Sequence, residues 1–221
     1  GIVAPFLSLD PAKSTGGEFA VSKHMFEPLI ERNTWDKSLT PALAEGDMER
    51  LDDYTWQAKI REGAMWSDGT PVTAEDVKFS FDRINDPDYG SPFKDYIALI
   101  ESVEAPDSRT VIMRSKYRTD LIPARAPMVR AVPKHVVESV GNEAFASNPG
   151  VVSGQFTNAA PFDPNKISLK RWDGYNGNNG IHVNNADWLY IAEAQTRIAQ
   201  AEAGQLHIID GLPPSMYDAV E

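Results

Sequence analysis

The residue types that usually carry catalysis or metal binding are present in this sequence, but their spacing does not assemble a site. The four histidines, at positions 24, 135, 182 and 207, lie far apart, and none has the i, i+4 or short-loop spacing of a metal-binding pair. Neither a G-x-S-x-G nucleophile elbow nor a glycine-rich phosphate loop occurs. Carboxylates are too numerous for one pair to be singled out as general acid and base. The sequence therefore predicts no enzyme, no metal site and no cofactor.

Two loop segments, SPFKDY and SGQF, have instead the composition of a ligand cleft. Small, polar and aromatic residues in loops on a rigid scaffold commonly line such clefts. The alternative, that the aromatic residues of SPFKDY are ordinary core or rim residues, fits the sequence equally well. The candidate ligand-binding residues in these loops are Phe93, Tyr96, Ser153, Gly154, Gln155 and Phe156.

Charge and composition limit the class of protein. The chain has 221 residues, 42% of them hydrophobic, and a formal net charge of -11 from 32 acidic and 21 basic residues. This charge disfavours nucleic acid as a partner, because phosphates would be repelled. There is no cysteine, so disulfide and thiolate chemistry are excluded. No apolar run is long enough to cross a bilayer and no leader precedes Gly1, so we expect that any leader has been removed.

The hydrophobic periodicity predicts strands and helices without strict alternation, which indicates a mixed α/β or α+β fold. Predicted strands cover residues 2–9, 56–60, 167–171, 188–191 and 206–209, and a hairpin covers 103–113. Predicted helices cover residues 18–31, 133–141 and 192–204.

One more helix is predicted from the segment WSDGTPVTAEDVKFSFDRI, residues 66–84. Its Ser-Asp-Gly-Thr-Pro stretch is typical of a tight turn. Thr73 is the expected N-cap, and Asp76 three residues later makes an acidic variant of the capping box. The helix is thus expected to begin at a fixed point and to pack by an aromatic face that includes Phe79 and Phe81.

The longer segment YTWQAKIREGAMWSDGTPVTAEDVKFSFDRI closely resembles the signature segment of family 5 extracellular solute-binding proteins, the peptide- and nickel-binding proteins of ABC transporters. The segments LDP, FEPLIE, LTPALAEG, VPKHVVE and AQTRIAQAEAGQLHIIDGLPP resemble further family segments in family order, so the resemblance extends over nearly the whole chain. The residues that match the signature are Trp56, Arg61, Gly63, Trp66, Asp68, Gly69, Pro71, Thr73 to Val77 and Phe79 to Phe81.

The resemblance implies lobe one of a type II-like periplasmic binding protein fold with an inserted subdomain. Residues 1–32 and 149–221 are expected to form a core mixed sheet with helices, and residues 33–148 the inserted subdomain. Family members are much longer and have two lobes. The second lobe is expected to be absent here, which makes the chain a fragment or an isolated lobe.

The implied function is that of the solute-binding component of a peptide-type ABC importer, located in the periplasm. Closure of two lobes around a peptide or similar solute would create the form that the membrane permease recognises. Thr15, Gly16 and Gly17 match a further ligand-lining segment of the family. The chain departs from the family's Gly-x-Gly-Pro-aromatic turn at residues 152–156, and from its Asp-Tyr-Trp-Gly motif at 174–177.

We expect weak or no solute binding by the isolated chain, because half of the enclosing surface would be missing. The alternative function is a self-associating interaction or scaffold module that binds no solute. Loss of a partner lobe would expose an apolar patch that favours self-association. A size in solution that depends on concentration would favour this alternative.

Overall fold

The structure is a computed structural model that describes residues 2–14, 17–177, 180 and 182–219, except for the side chains of residues 17, 18, 218 and 219. The helices are α1 (Gly17–Met25), α2 (Ala74–Asn85), α3 (Ile122–Arg125), α4 (Lys134–Val140), α5 (Asn142–Ser147) and α6 (Ala194–Glu202), with 3₁₀ helices at Ala126–Met128 and Pro214–Ala219. The strands are β1 (Ile30–Arg32), β2 (Leu39–Pro41), β3 (Glu49–Arg50), β4 (Thr55–Lys59), β5 (Ile100–Glu104), β6 (Thr110–Ser115), β7 (Phe156–Asn158), β8 (Lys166–Arg171) and β9 (Asn185–Leu189).

The strands that the structure describes pair entirely antiparallel, in three sheets. β1 and β2 form a hairpin, the second sheet has the order β3-β4-β6-β5, and the third has the order β7-β8-β9. Helix α2 packs against β5 and β6, and α1 packs against β7. The predicted mixed α/β fold class is confirmed.

The signature segment is held together by one buried carboxylate, that of Asp76, which is 5% exposed. Its Oδ2 accepts the backbone N–H of Thr73 at 2.9 Å and the indole N–H of the buried Trp66 at 3.3 Å. Its Oδ1 accepts the backbone N–H of Lys134, at the start of α4, at 3.0 Å. The predicted capping box is therefore confirmed, and the same carboxylate also joins α2 to α4.

A buried ion pair ties the N-terminal segment to α2. The carboxylate of Asp10 is bonded to the guanidinium of Arg83 and to the hydroxyl of Tyr89. Arg83 also donates to Asn142 Oδ1 at 2.9 Å and so connects the ion pair to α5. Burial and the Asp10 carboxylate raise the pKa of Tyr89. The phenol therefore stays protonated and acts as a donor within this cluster.

Three predicted elements differ from the structure. α1 ends at Met25, not at residue 31, because Pro28 lacks an N–H and the chain turns into β1. Residues 2–9 form no strand: only Ile2 bridges to Tyr190, while the N–H of Phe6 bonds the Pro164 carbonyl in a loop and that of Leu9 bonds the Ala146 carbonyl in α5. Residues 206–209 are also irregular, since the N–H of Leu206 bonds the C-terminal end of α6. The other predicted strands and helices are present near their expected positions.

One continuous apolar core lies under these elements. Its large fully buried residues come from segments far apart in the chain, and include Phe6, Phe26, Trp66, Phe81 and Phe145. The division into residues 1–32 with 149–221, and 33–148, stays a prediction. Among the described residues, no helix combines the length and hydropathy required to cross a membrane.

The Asp76 contacts predict unequal losses of stability in two substitutions. Thr73→Ala should lower the free energy of unfolding by about 1 kcal/mol through loss of the N-cap. Asp76→Ala should lower it by at least about 3 kcal/mol, because several buried donors lose their acceptor. Urea unfolding measures both changes. Asp82→Ala, on the exposed face of the same helix, is the control and should cost about 0.5 kcal/mol or less; equal losses for Asp76 and Asp82 would contradict the assignment.

Candidate functional site

Helix α1 lies between the two loops that carry the predicted ligand-binding residues and contacts both of them. It is nine residues long, which corresponds to about 13 Å. Near its N-terminal end, the ring of Phe19 contacts the ring of Phe93 at 5.0 Å between centroids. At its C-terminal end, the carbonyl of Met25 accepts the N–H of Ser153 at 3.2 Å and that of Gly154 at 2.8 Å. The two predicted loops therefore lie at opposite ends of one short helix.

The first group, which we name the aromatic corner, consists of Phe19, Phe93 and Tyr96. The centroids of Phe93 and Tyr96 are 6.1 Å apart. Phe93 is 8% exposed, whereas Tyr96 is 56% exposed. Ser91 anchors this loop by donating to the carbonyl of Ala12 at 2.6 Å. A fixed aromatic pair with one accessible ring can receive an apolar group of a ligand.

The predicted segment at the start of α1 is only partly described. Gly17 is the first residue of α1. Thr15 and Gly16 lie outside the described residues, so their predicted role stays a prediction.

The second group is the turn of residues 153–156. The hydroxyl of Ser153 accepts the N–H of Glu27 at 3.0 Å. A Cβ atom on Gly154 would lie 2.5 Å from the carbonyl oxygen of His24, so this position needs glycine for close approach. Phe156 is buried in the core, while Gln155 is partly exposed. Most polar groups of this turn therefore hold α1 in place.

A cleft of about 430 Å³, which we name the α1 cleft, opens beside the contact between α1 and this turn. One wall is the C-terminal half of α1, with Lys23 and His24, together with Glu27 just after the helix. A second wall is the β1–β2 hairpin, from Glu31 to Trp35. The third wall is formed by the turn at Gly154 and Gln155 and by Tyr175 from the loop after β8.

Glu27 is the buried acid of the cleft. Its Oε1 accepts the Tyr175 hydroxyl at 2.8 Å, and its Oε2 lies 3.5 Å from Arg61 Nη2. Arg61 is fixed further by Asn176 Oδ1 at 2.9 Å and by the Ala42 carbonyl at 3.1 Å. Burial raises the pKa of Glu27, while the Tyr175 hydrogen bond and Arg61 act to lower it. This arrangement holds a carboxylate that would otherwise be costly to bury.

The second acid, Glu31, is bonded to a buried arginine. Arg130 is 2% exposed, and its Nη2 lies 2.6 Å from Glu31 Oε2 while its Nη1 donates to the Phe26 carbonyl at 2.6 Å. Lys23 Nζ approaches Glu31 at 3.6 Å. Burial lowers the pKa of Arg130, and Glu31 opposes this effect. Glu31 thus faces two cations.

The same two cations, Arg130 and Lys23, also affect the pKa of His24. Burial lowers the pKa of His24, and the positive charges of Arg130 and Lys23 lower it further, against a hydrogen bond with Gln155 that raises it. Its ring lies 6.0 Å from the ring of Phe156, edge to face. His24 is therefore a neutral, partly buried ring in this wall at neutral pH.

The sequence signals did not identify most of the α1 cleft. Glu27 and Arg61 are 34 positions apart, and Glu27 and Tyr175 are 148 positions apart. No local motif contains these pairs, and the departure from the family motif at 174–177 was the only signal near Tyr175. Within the part of the chain that the structure describes, no group of three or more His, Asp or Glu side chains could hold a metal ion.

A second concavity, more open and about 610 Å³ in volume, lies at one end of the four-stranded sheet. Charged residues such as Asp53 and Arg114 line it. Its charges largely pair with neighbours, for example Arg114 with Glu104 at 3.2 Å and Arg118 with Asp53 at 3.4 Å. None of the predicted ligand-binding residues lines it, so the α1 region is the stronger candidate.

Comparison with known families gives a match over most of the chain. The sequence model of the bacterial extracellular solute-binding proteins, family 5 (middle part), matches residues 38–221. The periplasmic oligopeptide-binding protein OppA of Haemophilus influenzae is 27% identical over 234 residues, which cover 95% of this chain and 42% of that protein. OppA of Escherichia coli is 28% identical over 231 residues, covering 94% and 41%.

Solved structures agree with the sequence matches. The unliganded open form of MppA, a periplasmic murein tripeptide binding protein, has a TM-score of 0.89 at 26% identity and covers 99% of this chain and 45% of that one. H. influenzae OppA in complex with RPPGFSPFR has a TM-score of 0.87 at 28% identity, with coverages of 99% and 47%. The predicted periplasmic binding protein fold is confirmed. The chain spans less than half the length of the relatives it matches.

The close approach of the turn to α1 predicts a strict requirement for glycine at position 154. Gly154→Ala should lower the free energy of unfolding by about 3 kcal/mol, because the new methyl group meets backbone atoms that cannot rotate away. Thermal or urea unfolding measures the loss. Gly46→Ala is the control, since nothing lies within 4 Å of its added Cβ; a similar loss in both variants would contradict the steric explanation.

The lowered pKa of His24 predicts a pH dependence of stability. The unfolded chain binds a proton at His24 more tightly than the folded protein, so the free energy of unfolding should fall as the pH drops through about 6.5. In His24→Gln this part of the pH slope should be missing. Urea unfolding at several pH values between about 5.5 and about 7.5 measures the slope. The exposed His207 provides the control: His207→Gln should keep the wild-type slope, and an unchanged slope in His24→Gln would refute the prediction.

Proposed function

The chain belongs to the bacterial extracellular solute-binding proteins of family 5, and on this premise we propose that it is part of the solute-binding component of a peptide-type ABC importer. Such a component binds its solute without chemical conversion and delivers it to a membrane permease. The periplasm is the proposed location, because the OppA relatives are described as periplasmic.

The observation that carries the proposal is the combined match in sequence and shape to peptide-binding proteins. The family model matches residues 38–221. The similarity to OppA bound to RPPGFSPFR extends over 99% of this chain. A peptide, or a solute of similar chemistry, is therefore the proposed ligand.

We assign the peptide to the face that carries the aromatic corner. The exposed ring of Tyr96 next to the buried ring of Phe93 would pack against an apolar side chain of the ligand. By the family resemblance, the backbone at Thr15, Gly16 and Gly17 would pair with the peptide main chain. The turn of residues 153–156 would act mainly by fixing α1, because Ser153 and Gly154 are bonded to that helix.

Tight binding would require the part of the longer relatives that this chain does not span. The chain spans less than half of those relatives, and Tyr96 is largely open to solvent. A second lobe closing over the peptide would remove this surface from water and stabilise the closed state. The alternative of a self-associating scaffold has no support among the relatives.

Nuclear magnetic resonance of the isotopically labelled 221-residue chain tests this assignment. A pool of di- and oligopeptides should shift resonances of the aromatic corner, with affinity on the order of millimolar because the enclosing surface is incomplete. Tyr96→Ala should weaken binding by about 3- to 10-fold, which corresponds to loss of one aromatic contact.

Tyr117→Ala supplies the matched control, since Tyr117 is also an exposed tyrosine but does not belong to the aromatic corner. Equal weakening by both variants, or shifts confined to other surfaces, would contradict the assigned site. Tight binding of a peptide by the 221-residue chain alone would contradict the role given to a second lobe.

A further inference from the structure

We propose that the α1 cleft is a second binding site, separate from the aromatic corner, for a small carboxylate that carries a flat apolar group. Three features of the cleft support such a ligand: its unequal charge, an arginine whose guanidinium has no partner among the described residues, and an exposed tryptophan.

The cleft region carries excess positive charge within an acidic protein. Its two carboxylates, Glu27 and Glu31, are each bonded to an arginine, Arg61 and Arg130 respectively. Two more cations, Lys23 and Arg32, line the cleft. Counting the two arginines behind the acids, four cations thus lie in or directly beside the cleft with two acids, although the whole chain has a net charge of -11. A local excess of this sign favours an anionic ligand.

Arg32 is the cation that is available to such a ligand. Its guanidinium makes no hydrogen bond or ion pair with any residue that the structure describes, and its side chain is exposed at the cleft wall. The backbone of Arg32 is fixed, because Arg32 belongs to β1 and pairs with Leu39 of β2. A guanidinium binds a carboxylate through two parallel hydrogen bonds, which is the strongest common arrangement for this pair.

Trp35 provides the apolar contact. It lies at the rim of the same cleft, three positions after Arg32, and is 91% exposed. The hairpin turn that carries it is ordered, since the N–H of Trp35 donates to Asn33 Oδ1 at 2.8 Å and Lys37 adopts a positive φ of 62°. An exposed indole at the rim of the cleft can cover the flat face of a ligand whose carboxylate reaches Arg32 in the cleft wall.

The remaining walls fit the same ligand. On the helix side of the cleft, burial lowers the pKa of His24, and the positive charges of Arg130 and Lys23 lower it further. Asp36, the acid of the hairpin turn, is bonded to Ser38. A volume of about 430 Å³ suits a small organic acid or the terminal residue of a peptide.

Calorimetric titration of the 221-residue chain tests the proposal with three probes: benzoate, the tripeptide N-acetyl-Ala-Ala-Phe and the C-terminal amide of that tripeptide. Both carboxylates should bind in a saturable way below about 10 mM, and added salt should weaken them. The amide should bind the cleft at least about tenfold more weakly, because it cannot pair with Arg32. Tighter binding of the tripeptide than of benzoate would identify a peptide terminus as the source of the carboxylate, and the reverse order a free aromatic acid.

Arg32→Gln should weaken benzoate about tenfold, and Trp35→Ala about 3- to 10-fold. The control variants are Arg118→Gln and Tyr117→Ala, which change an exposed arginine and an exposed aromatic outside the cleft. The proposal is overturned if benzoate does not saturate up to about 10 mM, if Arg32→Gln stays within about twofold of wild type, or if Arg118→Gln weakens binding equally.

This test is independent of the function proposed above. Peptide-induced shifts at Tyr96 should persist in Arg32→Gln if the two sites are separate. Loss of the Tyr96 shifts in that variant would mean that the cleft and the aromatic corner form one site, which also overturns the proposal.

Discussion

The attachment of α1 to the turn at Ser153 is the contact that fixes the positions of both candidate sites. A helix end leaves backbone groups without partners, and here the Met25 carbonyl accepts two N–H groups from the turn while the Ser153 hydroxyl accepts the N–H of Glu27. These residues are more than a hundred positions apart in the chain, so the contact depends on the whole fold. It sets the direction of α1, and with it the places of Phe19 at one end and of the α1 cleft at the other.

Buried charge imposes the second constraint. Asp10, Asp76 and Glu27 are all removed from water in a strongly acidic chain. Each is supplied with donors: Asp10 with Arg83 and Tyr89, Asp76 with backbone and indole N–H groups, and Glu27 with Tyr175 and Arg61. Because the buried acids are paired in this way, cations such as Arg32 can set the potential of the cleft. Pairing that stabilises the fold thus also shapes its surface for binding.

The two candidate sites share a physical principle that suits a solute-binding protein. Each has an aromatic ring left in water on a segment that is fixed in the fold: Tyr96 beside the buried Phe93, and Trp35 on the hairpin that carries Arg32. A fixed base limits the entropy lost on binding, and an exposed ring offers apolar area to a ligand or to a closing lobe. This arrangement suits binding and release of a ligand.

Much of the secondary structure could be predicted from the sequence because it depends on local hydrogen bonds. The cap formed by Thr73 and Asp76, the hairpin near residues 103–113 and the helix that stops at Gly141 depend on partners within a few positions. The same local patterns carried the family resemblance. They did not reveal where α1 ends, or that residues 2–9 and 206–209 form no strands. Other contacts replace the strand pairing that the apolar pattern suggests: residues 2–9 bond a distant loop and α5, and Leu206 bonds the preceding helix α6.

The α1 cleft could not be predicted from the sequence either, because it also depends on contacts between distant segments. Glu27, Arg61 and Tyr175 meet because three separate segments converge on one helix end, and their spacing along the chain carries no signal of that meeting. The type of each residue fixed what it could do, as donor, acceptor, cation or ring. The tertiary structure decided which of these residues are in contact. Segments that are far apart in the sequence come together only when the elements between them pack against the common core.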